Sequence, residues 1–431
     1  MFKTIANAWK LADLRQKILY VLFIVVLYRI GTAIPVPFVN PDMLANFRNA
    51  TEGSIFQYLS ILSGNAFSQA TLFALGISPY ITASIVIQLL TIAIPALEKI
   101  SQEGEEGKKK LNQITRIVTI VLGVITSIGY FKLLDTNNVL NIPEGYTWFA
   151  AIVIVACYCS GSALVMWLAE KINENGIGNG ISIILFTNII SGLPAMVTNL
   201  WSNYLASGKV SGVLIGIGVI IVSIAAIFFI VFITDSERRL PIQYAKKVVG
   251  RKMYGGQNST LPLKLNMTGV MPIIFANSIV TLPSTINMFV PSKMKTLKSI
   301  LGVFSVDSWL YAVLTFVLII AFAYFYVTIS FNPIEVANNL KKNGGFIPGI
   351  RPGKPTSDYI TKVLSRITLI GALFLDIIAV LPLVANIISG AKLSALAFTG
   401  SSVIIIVGVV LETAREIESQ MTMRHYKGFL E

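Results

Sequence analysis

Long, uninterrupted apolar runs dominate the chain. Windows of about 20 apolar residues, the length a helix needs to cross a bilayer core, fall near 18–36, 72–94, 114–134, 148–169, 181–200, 210–234, 267–290, 309–331, 367–390 and 393–411. No charge stands between Lys209 and Asp235, or between Glu144 and Glu170. The two weakest windows hold Arg29 and Asp376. The pattern predicts an all-α polytopic membrane protein with ten transmembrane helices. An even count places both termini on one side.

Three kinds of stretch break this rhythm. Residues 2–14 set Phe2, Ile5, Trp9 and Leu11 among cations, which suits either a helix lying in the membrane interface or a mobile tail. Residues 53–71 are uncharged but rich in Ser, Gln and Asn. At membrane depth such a segment must be buried in protein or line a watery cavity. The loops 235–266 and 332–360 are long and basic, far beyond ordinary helix connections.

Composition agrees with the pattern. Hydrophobic residues make up 54% of the 431 and charged ones 13%, about half the usual quarter, and the mean hydropathy is +0.73. That excludes disorder, a disulfide scaffold and an ordinary cytosolic enzyme. The net charge is +13, from 34 Lys+Arg against 21 Asp+Glu. With the N-terminus inside, 26 of those cations fall on the cytoplasmic side and eight outside, so the positive-inside rule makes both ends cytoplasmic. Lys3, Lys10, Arg15 and Lys17 lead into a full-length apolar span with no small-residue cleavage pattern, so no cleavable signal peptide is expected. Cys157 and Cys159, one residue apart, match no zinc or redox motif and are expected to be small buried hydrophobes.

Catalytic and metal chemistry is missing from the sequence. No span holds a histidine, and neither a His-Glu-x-x-His zinc motif nor a Gly-x-Ser-x-Gly elbow occurs. No catalytic residue, metal or cofactor is expected. Gly176-Ile-Gly-Asn-Gly180 opens a membrane helix and lacks the Lys-Ser/Thr ending of a phosphate loop. A solute transporter keeps ionisable groups at mid-membrane, and only Arg29 and Asp376 qualify. Two pairs of bulky aliphatics, Ile81 with Ile85 and Ile181 with Leu185, each share a helix face. Spacing alone allows either lipid-facing side chains or a hydrophobic constriction that excludes ions.

Several separated blocks nevertheless resemble one family. They are Arg29-Ile-Gly-Thr-Ala-Ile-Pro-Val-Pro37, Ala74-Leu-Gly-Ile-Ser-Pro-Tyr-Ile-Thr-Ala-Ser-Ile-Val-Ile-Gln-Leu-Leu90 and Gly176-Ile-Gly-Asn-Gly-Ile-Ser-Ile183. Leu261-Pro-Leu-Lys-Leu-Asn-Met267 and Gly269-Val-Met-Pro-Ile-Ile-Phe275 follow. Phe331-Asn332-Pro333, Asn338-Asn-Leu-Lys-Lys342 and Phe346-Ile-Pro-Gly-Ile-Arg-Pro-Gly353 complete the set. In this order they resemble the SecY family, central subunits of the bacterial protein-conducting channel, over essentially the whole chain.

The resemblance implies two pseudo-symmetric five-helix halves around a central pore, 18–200 and 201–411, flanked by an amphipathic cytoplasmic helix (1–17) and a cytoplasmic tail (412–431). It implies a pore ring of Ile81, Ile85, Ile181, Leu185, Ile274 and Ile405, where Leu185 replaces the family's common isoleucine. Residues 53–71 match the plug, with Leu62, Ser63, Gly64, Asn65, Ala66 and Phe67 at its centre. A lateral gate would open between the second and seventh spans, with Gln88, Asn277, Ser278 and Thr281 as its polar residues. Those four also suit ordinary interhelical hydrogen bonds.

The basic loops suit a polyanion on electrostatic grounds, although positive-inside bias explains part of their charge. By the resemblance, Arg238, Arg239, Lys246, Lys247, Arg251 and Lys252 would meet the ribosome, and Arg351 and Lys354 the ribosome and the ATPase SecA in turn. SecE and SecG would be small membrane partners, and unfolded secretory and membrane proteins the substrates. The setting implied is a bacterial plasma membrane, with signal sequences and transmembrane helices leaving sideways into the lipid bilayer. An accessory member of the same family, or a solute transporter, is the alternative.

Overall fold

The computed structural model describes residues 9–50, 55–143, 145–202, 210–244, 247–249, 252–254, 258–290, 294–305, 308–388 and 399–427. In chain order the helices are α1 (Ala12–Gly31), α2 (Pro41–Ala50), α3 (Ile55–Leu62), α4 (Ser78–Ala93), α5 (Pro95–Gln102), α6 (Glu105–Thr136), α7 (Thr147–Asn175), α8 (Gly180–Leu200) and α9 (Val210–Asp235). They continue with α10 (Met271–Phe289), α11 (Lys295–Gly302), α12 (Trp309–Ser330), α13 (Pro333–Lys342), α14 (Lys354–Ile388) and α15 (Thr399–Lys427).

Each of the ten apolar windows overlaps a helix, with residues 393–398 of the last outside the described residues. Among the described residues six helices are long and apolar enough to cross a membrane, those around α6, α7, α9, α10, α12 and α14, or seven if α4 and α5 count as one span bent by 101°. The bend falls at Pro95, which cannot continue the hydrogen-bond ladder of α4. α1 carries Asp13, Arg15, Lys17 and Arg29, and the apolar part of α8 runs only from Gly180 to Pro194. α9 is the most apolar span and among the least buried, with Ile221, Val222, Ile224, Phe228 and Phe232 all exposed. Such a belt belongs in lipid.

Packing divides the long helices into two groups. α1, α4, α6, α7 and α8 pack among themselves, and so do α9, α10, α12, α14 and α15. The groups meet where α10 lies against α4 and α6, and where α8 lies against α15. One large cluster of buried side chains, from Ile24 to Val409, draws on both groups. A second cluster, built round Tyr130, Tyr158, Phe56 and Phe67, lies within the first group.

The basic loops carry strands that the apolar pattern did not reveal. β1 (Glu237–Tyr244) pairs antiparallel with β4 (Asn258–Lys264), Leu240 opposite Leu261, and with the short β5 (Gly345–Phe346) of the other loop. β2 (Lys247–Val249) and β3 (Lys252–Tyr254) form a separate hairpin ladder. Leu240 and Leu263 bury against Ile347, Ile360 and Ile367, which fixes the sheet to the start of α14.

Both described chain ends lie at one end of the bundle. Lys17 Nζ donates to Gln420 Oε1 at 3.2 Å, and Leu14, Ile177 and Ile417 form one small core. Arg415 pairs with Asp235 at 2.5 Å, which brings the start of the β1 loop to the same end. Cys157 and Cys159 are unpaired and only partly buried. Tyr158 between them takes the inward direction and is fully buried, so the cysteines are turned to its flanks, contrary to the fully buried positions expected.

Candidate functional site

Six bulky aliphatics converge at the contact between the two helix groups. Ile81 and Ile85 come from α4, Ile181 and Leu185 from α8, Ile274 from α10 and Ile405 from α15. All are between 2% and 7% exposed and belong to the same buried cluster. Four of them, Ile81, Leu185, Ile274 and Ile405, line one cavity together with Leu62, Ser78, Asn277 and Ser278. Ile85 and Ile181 sit beside it in the cluster without lining it. The cavity is about 20 Å³, room for little more than one water. Its walls are aliphatic except at Ser78, Asn277 and Ser278, and the aliphatic part offers an ion no replacement for lost water. Burial therefore removes the lipid-facing alternative for these isoleucines.

The polar stretch after α3 folds inward beneath this cavity. Ser60, Ser63, Ser68 and Thr71 are buried, as are Ala66 and Phe67, and the segment answers its own polar groups. Ser63 Oγ accepts from Phe67 N at 2.9 Å, and Asn65 N donates to Ser60 O at 2.7 Å. Outside donors hold the rest. Tyr130 Oη donates to Phe67 O at 2.5 Å and Tyr158 Oη to Ala70 O at 3.4 Å, while just past the segment Leu72 N donates outward to Ile34 O at 2.9 Å. Gly64 and Asn65 both take positive φ, +65° and +71°, which turns the chain sharply after α3. Residues 53 and 54 of the predicted segment lie outside the described residues.

The polar residues predicted beside the contact separate into two places. Asn277 and Ser278 line the ring cavity. Ser278 Oγ donates to Ile274 O and Thr281 Oγ1 to Asn277 O within α10 itself. Gln88 points elsewhere: its Oε1 accepts from Tyr326 Oη of α12 at 2.5 Å, and its Nε2 donates to Ser84 Oγ at 3.2 Å. Phe275, Phe322, Phe325 and Tyr326 cluster around this bond, edge to face except for the tilted Phe275–Tyr326 pair. Sequence reasoning missed Tyr326. Its only signal is a hydroxyl at the end of an aromatic run, Phe322-Ala-Tyr-Phe-Tyr326.

Arg29 and Asp376 do not form a coupled site. Asp376 is fully buried, with neither oxygen hydrogen-bonded in the structure. Arg29 Nη1 instead donates to Gly64 O at 3.4 Å. Among the described residues no three metal-ligating side chains gather.

At the end where the sheet lies, Arg238 and Arg239 stand exposed on β1, and Arg239 pairs with Glu237 at 2.6 Å. Lys247 and Lys252 fall on β2 and β3, while Lys246 and Arg251 lie outside the described residues. Arg351 is exposed on the turn before α14 and Lys354 at the first position of α14. Thr356 Oγ1 donates to Arg351 O at 2.8 Å, and Gly353, at φ +103°, supplies a backbone that other residues avoid. The turn is thus preset.

A family model described as SecY matches residues 71–414. Proteins named protein translocase subunit SecY are similar over the whole length: 41% identical in Streptomyces galbus, 41% in Mycobacterium tuberculosis and 42% in Streptomyces coelicolor, with 100% of both chains covered in each case. The fold is similar to a solved protein-conducting channel, at TM-score 0.61 and 17% identity, covering 94% of this chain and 92% of that one. It is also similar to a SecY whose plug domain is described as stabilising the closed state, at 0.61 and 18%, covering 94% and 92%. Canine Sec61 from a ribosome-channel complex matches at 0.58 and 16%, covering 94% and 92%.

Proposed function

The chain belongs to the SecY family and serves protein translocation, and we propose that it forms the conduit itself. Unfolded secretory polypeptides pass between the two helix groups, 18–200 and 201–411, through the ring of Ile81, Ile85, Ile181, Leu185, Ile274 and Ile405. Residues 60–70 plug the resting pore. The groups part between α4 and α10 to release signal sequences and transmembrane helices into lipid. The observation that carries this reading is the convergence of six buried aliphatics from four helices into one cluster, four of them lining a small cavity together with Leu62.

Charge supports an orientation and a set of partners. The cation-rich end, holding Arg238, Arg239, Lys247, Lys252, Arg351 and Lys354, faces the cytoplasm with both chain termini. There it meets the polyanionic ribosome, as the ribosome-bound canine relative does, and the ATPase SecA. SecE and SecG complete the assembly in a bacterial plasma membrane. The chain conducts passively and does no covalent chemistry, so its partners supply the energy.

Reconstitution tests the conduit. Vesicles holding the chain with SecE and SecG should protect a secretory protein from added protease only when SecA and ATP are present. Protection that needs neither, or uptake of a small solute in fixed ratio to an ion, would favour a transporter.

A further inference from the structure

α3 ends inside the protein, and its last carbonyls must find donors there. The final C=O groups of a helix lack intrahelical partners and carry the negative end of its dipole. One side chain meets the last of them, and a second, from another helix, meets a carbonyl of the turn that follows. Asn188 Nδ2 of α8 donates to Leu62 O at 2.6 Å, and Arg29 Nη1 of α1 donates to Gly64 O at 3.4 Å. Asn188 is fully buried and its Oδ1 accepts no hydrogen bond in the structure. Among the described residues no carboxylate comes within ion-pair distance of Arg29. Gly64 is what allows the approach: a Cβ there would lie 2.7 Å from Asn188 Oδ1 and 2.8 Å from Arg29 Nη1.

We propose that Arg29 and Asn188 form a latch, two positioning residues that hold the plug against the ring in the resting channel. The proposal rests on the plug reading given above. An arginine within a membrane span is stabilised only by protein acceptors or by water. With the plug seated, Gly64 O and the end of the α3 dipole serve it. Once the pore fills with water, the guanidinium no longer needs them. The latch therefore holds while the pore is dry and loses its hold as hydration begins, so release follows substrate entry.

The test measures plug position and leak together. Cysteines replace Leu62 and Ile405, which line one cavity, in a chain with Cys157→Ser and Cys159→Ser, and a short bismaleimide joins them. The cysteine parent should crosslink, and the chain with Leu62 and Ile405 intact, on which conductance is read, should conduct little. Arg29→Leu and Asn188→Leu should each lose crosslinking and raise resting conductance about tenfold, the effect of one lost hydrogen bond in a buried site. Arg29→Lys, which keeps a cation, should recover part of both. Gly64→Ala keeps both side chains in the protein but pushes them off their carbonyls, and should leak alone while adding little to Arg29→Leu. If Leu variants fail to accumulate, Gly64→Ala decides. Parent-like crosslinking and conductance in the variants would overturn the latch and spare the plug. A parent that does not crosslink would overturn the plug reading, and the latch with it.

Discussion

Tyr326 Oη donates to Gln88 Oε1 at 2.5 Å, so one hydroxyl fastens α12 of the second helix group to α4 of the first. On the gate reading this bond must break before a signal sequence can enter lipid. A single hydrogen bond contributes about 0.5–1.5 kcal/mol net, which is up to about tenfold in a gate equilibrium. Tyr326→Phe keeps the ring contacts with Phe275 and Phe325 and removes only the hydroxyl. Export of a reporter with a shortened apolar signal should rise severalfold. Export equal to the parent's would mean that the bond does not guard the gate.

The ring makes a sharper prediction. Ile405 is 3% exposed, and Ile405→Asn would place an amide among aliphatics. An unpartnered buried polar group costs about 1–3 kcal/mol, and an open, hydrated pore relieves that cost. The resting channel should become leaky to ions, and proteins with defective signal sequences should be exported. Unchanged export with unchanged conductance would remove Ile405 from the pore.

Arg351 tests the docking surface. Its side chain is exposed on a preset turn, so Arg351→Glu alters electrostatics without disturbing burial. SecA-driven transport into vesicles should fall to background while the protein's yield and thermal midpoint stay at parental values. Normal transport would place the motor elsewhere.

Gly161 tests packing close to the plug. A Cβ on this residue of α7 would lie 2.0 Å from Leu72 O, just after the plug segment. Gly161→Ala must push that backbone aside, at a cost of about 1–3 kcal/mol or more. The purified variant should melt at a clearly lower temperature, and a parental midpoint would contradict the close approach.

Much of this architecture is legible in the sequence because lipid demands it. Apolar windows are long, so each of the ten fell on a helix, and polar residues 55–71 had to be covered by protein. The ring is different. Ile81 and Ile85 share a face with either meaning, and only the fold shows that this face meets Leu185, Ile274 and Ile405 rather than lipid. Tyr326 and Asn188 were obscure for the same reason: each acts through a partner more than 100 residues away, Gln88 and Leu62. The sheet was hidden because β1 and β4 alternate over only a few positions, Leu240 with Ile242 and Leu261 with Leu263, too short a period to read, and the two-residue β5 joins from the other loop.

The central claim is that polypeptide passes between the two helix groups, through the ring. A photoreactive residue placed singly at Ile81, Leu185, Ile274 and Ile405, and at the outward-facing Ile117 and Phe228, reads this directly when a secretory chain is stalled in transit. Crosslinks to the stalled chain should form at all four ring positions and at neither outward one. Crosslinks at Ile117 or Phe228 with none in the ring would contradict the pore.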